Sequence, residues 1–348
     1  MAHMQSRLSW VDVAKGIGII LVVYGHIARG LVSAHLMPDD AVFRMVDSAI
    51  YSFHMPLFFF LSGIFFWRSL ISKGPALLVS SKIDTIVWPY VLWSLLQGGI
   101  EYEMSKFTNS HVTLSSILAF PIEPRAQFWF LYALFIVSVV CAIVYYKCSP
   151  RYFSAMFALL ALLYLCKGYL PAFRPLTYFA ANSVFFAGGI WLGQNAEKMQ
   201  ALAGRALPPT LIVFTASHIL YQVLDVPGTV IERCMSLAIA CISIVFVSIV
   251  SMRLQFNDRM GRWLRLIGEA SMSIYLIHIL AGSGTRIVLK SLGIESSVVH
   301  VVIGTGVGVV VPLLINAWML KGKFRFLLAL PYPISFSRLA KSMAAGKR

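Results

Sequence analysis

The chain has 348 residues, of which 59% are hydrophobic and only 12% charged. Soluble domains carry about 25% charged residues, so half the usual charge excludes an ordinary soluble domain, a disordered chain, a disulfide scaffold and a nucleic-acid-binding surface. The net charge of +15 is spread through short segments between apolar runs, which first reads as a topology signal.

A membrane-crossing helix needs about 20 mostly apolar residues. Ten segments qualify in chain order: 13–33, 49–67, 84–100, 127–146, 152–170, 176–194, 209–225, 230–251, 264–282 and 297–320. Several hold proline, as at Pro56, Pro89 and Pro312, which bundled helices tolerate when neighbours satisfy the freed backbone groups. The expected fold is an all-α polytopic bundle of about ten transmembrane helices. With the N-terminus inside, 20 of the 29 lysines and arginines fall on the inner side, and nine of the 14 acids fall outside. The positive-inside rule therefore predicts both termini in the cytoplasm. Residues 1–325 are expected to form the transmembrane domain and residues 326–348 a basic cytoplasmic tail.

The first segment, "WVDVAKGIGIILVVYGHIARG", is the most informative. Lys15 and His26 are 11 residues apart, which leaves them about 20° from eclipsed and about 16 Å apart along one helix face. Asp12 and Arg29, three residues before and after this pair, join the stripe. Gly16, Gly18 and Gly25 are expected to admit a close neighbour. Asp12 and Lys15 also fit a snorkelling anchor at the inner boundary. His26, about 18 Å above that boundary, lies too deep to snorkel and is a functional candidate.

His54 in the second segment sits about 8 Å below the outer boundary, where it could instead relieve the backbone freed by Pro56. The run "FFFLSG" that follows is expected to be mainly lipid-facing and packing material, with Ser62 and Gly63 permitting close helix contact. Phe128-Trp129-Phe130 and Tyr132, opening the fourth segment, read as an interfacial aromatic belt. In the ninth segment Ser271, Tyr275 and His278 share a face, with His278 about 18 Å from the inner boundary. His111, His218 and His300 are scattered and receive no role. No nucleotide loop, HExxH or Cys/His pattern is present, so metal chemistry has no support.

Four patches, "DVAKGIGIILVVYGH", "FHMPLFFFLSGIFF", "QFWFLYALF" and "SMSIYLIHIL", resemble in this order the membrane acyltransferase family 3. The likeness is to its bacterial branch of fucose 4-O-acetylase-like and exopolysaccharide O-acetyltransferases. It implies transfer of an acetyl group from cytoplasmic acetyl-CoA, a co-substrate with no bound cofactor, to a glycan hydroxyl. The protein would sit in the bacterial inner membrane, with the bilayer, acetyl-CoA and a polysaccharide or lipid-linked oligosaccharide as partners and no nucleic acid. The resemblance places His26, Lys15 and Asp12 at the catalytic centre. His26 would act as general base or as a transient acetyl carrier. Lys15, Arg68, Lys73 and Lys82, with Arg262 and Arg265 nearby, would hold the CoA phosphates. His54, Tyr275 and His278 would handle protons or bind the acceptor. The rivals are a transporter that uses its intramembrane histidines, and a structural partner of a polysaccharide synthase.

Overall fold

The computed structural model describes residues 8–104, 113–194, 196–224, 226–321 and 323–345. Among them there is no strand, and fourteen α-helices follow in chain order. The first seven are α1 (Ser9–Ser33), α2 (Ala41–Ile64), α3 (Phe66–Lys82), α4 (Trp88–Met104), α5 (Leu114–Leu118), α6 (Trp129–Tyr146) and α7 (Phe153–Leu165). The rest are α8 (Arg174–Gly193), α9 (Ala196–Leu224), α10 (Val230–Leu254), α11 (Met260–Glu269), α12 (Ser271–Ser291), α13 (Ser297–Lys321) and α14 (Phe336–Ala345).

By length and composition seven helices can cross a membrane, and the pair Ala41–Ile64 and Phe66–Met104, bent by 67°, raises the number to eight. Each of the ten expected segments is largely helical among the described residues, but ten helices of spanning length are not reached. The 13 residues of α7 rise only about 20 Å, short of the roughly 30 Å hydrocarbon core. Ile212 and Val223 on α9 are 69% and 72% exposed, apolar surface that requires lipid rather than water as its solvent.

The chain divides into two compact units. One comprises the residues up to Leu61 and Leu192–Asn316. At its centre α1 packs against α10, α11 and α12. Glycine makes this possible where backbones touch: a Cβ on Gly16 would collide with the Leu264 carbonyl, and one on Gly268 with the Asp12 carbonyl. The expected close neighbours of Gly18 and Gly25 are also present, as Leu57 with Phe58 and as Tyr51. Ser9 Oγ donates to Gln255 Oε1 at 2.6 Å, and Ser273 Oγ to Asn316 Oδ1 at 2.6 Å, which ties α1 to the end of α10 and α12 to α13.

The ninth expected segment divides differently from its hydropathy. The chain breaks at Ala270, so α11 is a separate amphipathic helix and α12 runs on to Ser291, nine residues past the expected end. Of the "FFFLSG" run, expected to be lipid-facing and packing material, Phe59 and Leu61 are fully buried and so pack inside.

The second unit comprises Ser62–Trp191 and the residues from Ala317 onward. Gly63 makes the expected close contact, against the carbonyl of Phe186. Gly74 holds φ at +73°, a value L side chains rarely adopt, and breaks α3 ahead of Pro75. Phe128 and Phe130, expected in an interfacial belt, are buried, and Trp129 stacks on Tyr178 at 5.7 Å. The described part of the C-terminal segment is folded. Trp88 and Trp93 donate their indole N–H groups to the carbonyls of Phe326 and Leu327. The buried carboxylate of Asp84 accepts the backbone N–H groups of Phe336 and Ser337 at 2.8 and 3.0 Å, satisfying the open N-terminus of α14.

Candidate active site

The glycine seam between α1 and α11 sets the register of the first unit. Gly16 and Gly268 touch there, and ten residues further along each path come His26 and His278. Beyond the break at Ala270, α12 packs against α1, and the two imidazoles meet. Their ring centroids are 5.1 Å apart. A third imidazole, His54 on α2, joins through Tyr51: the Tyr51 and His54 rings meet edge-on at 4.5 Å, and Tyr51 lies 6.5 Å from His26. Three histidines from three separate stretches of sequence thus form one cluster.

Their surroundings differ. His54 and His278 are buried, whereas His26 is half-buried. His54 Nδ1 lies 2.8 Å from the Ile50 carbonyl, and His278 Nδ1 lies 2.8 Å from the Tyr275 carbonyl and 3.1 Å from that of Ile274. A carbonyl only accepts, so Nδ1 carries the proton in both rings and Nε2 is left as an acceptor. Nε2 of His278 is buried without a partner. His54 does not relieve Pro56, because the carbonyl that Pro56 leaves open is that of Ser52, not Ile50. Tyr275 is buried beside His278, with ring centroids 6.3 Å apart.

Outside the histidines lies a charged brace. Arg29 Nε and Nη2 each donate to one carboxylate oxygen of Asp47 at 2.7 Å, a bidentate pair from α1 to α2. The same guanidinium lies 3.2 Å from the centroid of the Tyr51 ring, a cation–π contact on the residue that links His26 and His54. Sequence reasoning put Arg29 on the stripe but gave no role to Tyr51 or Asp47. The signal was present in the α1–α2 hairpin, whose polar residues must meet somewhere in an apolar solvent.

At the other end of α1, Lys15 Nζ donates to Oδ1 of the buried Asp12 at 3.2 Å. Asp12 lies in the first turn of α1, where the helix dipole favours a negative charge. The α11 helix, seated on this turn, carries Arg262 and Arg265, with Arg259 at its N-cap, around an open depression of about 540 Å³. Of the other expected cations, Lys73 and Lys82 belong to the second unit and line a cavity of about 240 Å³ with Ser69, Ser81 and Thr85. Arg68 is not among its walls.

These observations can be set beside known proteins. A family model described as an acyltransferase domain matches residues 8–317. The inner membrane protein YcfT of Escherichia coli is 25% identical over 304 residues, 79% of this chain and 80% of that protein. The nodulation protein NolL of Mesorhizobium japonicum is 29% identical over 129 residues, 36% of this chain and 32% of its own length. NolL of Sinorhizobium fredii is 29% identical over 133 residues, 38% and 35% of the two chains. The matches to NolL therefore span about a third of those proteins. No solved structure is significantly similar to this chain.

Proposed function

The chain belongs to the acyltransferase family whose domain it matches over residues 8–317, and from that premise we propose that it moves an acetyl group from cytoplasmic acetyl-CoA to a hydroxyl of a cell-envelope glycan. It is a multi-pass membrane acyltransferase; the donor, the acceptor and a place in the bacterial inner membrane with both termini inside are our reading. The similarity to an inner membrane protein along most of its length supports that location, and the bias of basic residues supports the orientation and a ten-span path.

One observation carries the chemistry. Of the three clustered histidines, His26 alone is partly accessible, and it stands in front of two that backbone carbonyls hold fixed. In this reading His26 takes the proton of the acceptor hydroxyl as that oxygen attacks the thioester carbonyl carbon. The tetrahedral intermediate collapses with loss of the C–S bond, and the departing thiolate takes the proton from His26. The products are a glycan acetate and free CoA. His278 and His54 position His26, and the Arg29–Asp47 pair braces Tyr51 against the cluster.

The donor would enter at the opposite end of α1. Guanidinium forks suit phosphates, and Arg262 and Arg265, with Arg259 at the N-cap, stand on the helix that rests on the Lys15 turn. The pantetheine arm then spans the roughly 16 Å from Lys15 to His26. Lys73 and Lys82, with four hydroxyls around their cavity, offer a second phosphate seat in the other unit.

The test is mass spectrometry of surface glycans from cells with and without this gene. Loss of an acetyl mass at unchanged polymer yield is expected. A reduced yield with acetylation intact would instead show a transporter.

A further inference from the structure

Acyl transfer needs a hydrogen-bond donor for the carbonyl oxygen that turns negative as the tetrahedral intermediate forms. The two fixed imidazoles cannot give one. Nδ1 of His54 and of His278 donates to a backbone carbonyl, so each ring has only an acceptor, Nε2, left. His26 must itself accept the proton of the attacking hydroxyl. Tyr51 carries a neutral donor that is unused: among the described residues its hydroxyl has no hydrogen-bond partner, and it keeps some accessible surface.

Three contacts hold that hydroxyl beside His26. The first is with Gly25, the residue before His26. A Cβ there would lie 2.8 Å from Tyr51 Cε2 and 3.3 Å from the hydroxyl oxygen, so glycine lets the phenol rest directly on α1. The second is with the His54 ring, which meets Tyr51 edge-on at 4.5 Å. The third is with Arg29, whose guanidinium stands 3.2 Å from the ring centroid and is held by both carboxylate oxygens of Asp47. A cation over the face of a phenol draws electron density from the ring, which makes the O–H a stronger donor. The ring centroids of Tyr51 and His26 are 6.5 Å apart, close enough for one thioester carbonyl to meet both side chains.

We propose that Tyr51 is a further catalytic residue, whose O–H donates a hydrogen bond to the thioester carbonyl oxygen as that oxygen becomes negative. The acceptor hydroxyl adds to the carbonyl carbon, the π pair moves onto the carbonyl oxygen, and His26 takes the hydroxyl proton. Tyr51 keeps its own proton throughout and only tightens its hydrogen bond. When the C–S bond breaks, the pair returns to re-form C=O, and the thiolate leaves with the proton from His26. The proposal rests on the acyltransferase reading and gives the Arg29–Asp47 pair a purpose within it, to hold and polarise the donor. Because the charge that Tyr51 meets develops only on the way to the intermediate, its hydroxyl contributes to turnover and not to the binding of either substrate.

The experiment uses the full-length protein in liposomes, labelled acetyl-CoA, and the surface glycan extracted from cells that lack the gene. Rates are referred to the monodisperse fraction of each preparation, so a loss caused by misfolding is not counted. Tyr51→Phe keeps the ring and its contacts with Arg29, His54 and Gly25 and removes only the hydroxyl. Loss of one such donor should lower kcat by about 10²–10³-fold, with half-saturation by glycan and by acetyl-CoA unchanged. Tyr51→Leu, which gives up the ring contacts as well, should be at least as slow. Transfer by Tyr51→Phe at the unmodified rate, with loss only in Tyr51→Leu, would show that the ring merely packs and would overturn the proposal. A rise in half-saturation by either substrate at unchanged kcat would show a binding role and overturn it too. If the unmodified protein labels no glycan, the acyltransferase reading itself fails, and this assignment falls with it.

Discussion

Gly268→Ala strikes the contact that places His26 opposite His278. The added Cβ would collide with the Asp12 carbonyl oxygen, and would also lie 2.7 Å from the carbonyl carbon and 2.9 Å from Gly16 N. All three atoms are backbone, so no side chain can rotate away and the helices must part by roughly 1.5 Å to restore ordinary contact. A gap of about 0.5–1 Å already forfeits a quarter to a half of the dispersion energy, and this one is wider. Overpacking of this kind costs about 1–3 kcal/mol, and the rigid backbone points to the upper end, near a hundredfold in the folded population. Gly284→Ala on α12 is the control, because its Cβ would meet nothing within 4 Å. In a helix interior that exchange is worth about 0.5–1 kcal/mol in favour of alanine. The assay is the fraction of detergent-solubilised protein that stays monodisperse after heating, with acetyl transfer measured alongside. Gly268→Ala should lose both stability and activity while Gly284→Ala keeps both. Equal behaviour of the two variants would refute the seam as the element that sets the histidine register.

Three further outcomes are expected. Asp84→Ala removes the acceptor for two N–H groups at the start of α14, at a cost of about 1 kcal/mol; limited proteolysis should then cut the C-terminal helix faster, and an unchanged digest would contradict this role. Arg29→Gln and Asp47→Asn should each slow transfer, and the double variant should be no slower than the worse single one. Fully multiplied losses would show that the pair does not act as a unit. Arg262→Gln with Arg265→Gln should raise half-saturation by acetyl-CoA and leave that of the glycan alone; no change in acetyl-CoA dependence would remove α11 from donor binding.

The first helix was legible because its signal is local. A 100° step per residue puts Lys15 and His26 on one face whatever surrounds them, and the lysine meets Asp12 as its three-residue spacing requires. His54 and His278 were legible as polar residues at a costly depth. The meeting of His278 with His26 was not, since the α1–α11 seam joins Gly16 and Gly268, some 250 residues apart, and that of His54 runs through Tyr51, to which no role was given. The boundary of α12 misled for a plain reason. Leu264, Leu266 and Ile267 of the amphipathic α11 run into the apolar start of α12, so a hydropathy window merges them and ends the segment at residue 282. Arg286 was thereby assigned to a loop, when it stands inside a helix at the wall of a cavity. The folded C-terminal segment was equally hidden: Asp84, its anchor, lies some 250 residues earlier.

The most direct measurement is acetyl transfer by His26→Ala, at a membrane level matched to the unmodified protein. A general base contributes about 10²–10⁴-fold, so transfer should fall by at least a hundredfold while the folded protein persists. Full acetylation of the glycan by that variant would show that the reaction proceeds without this imidazole.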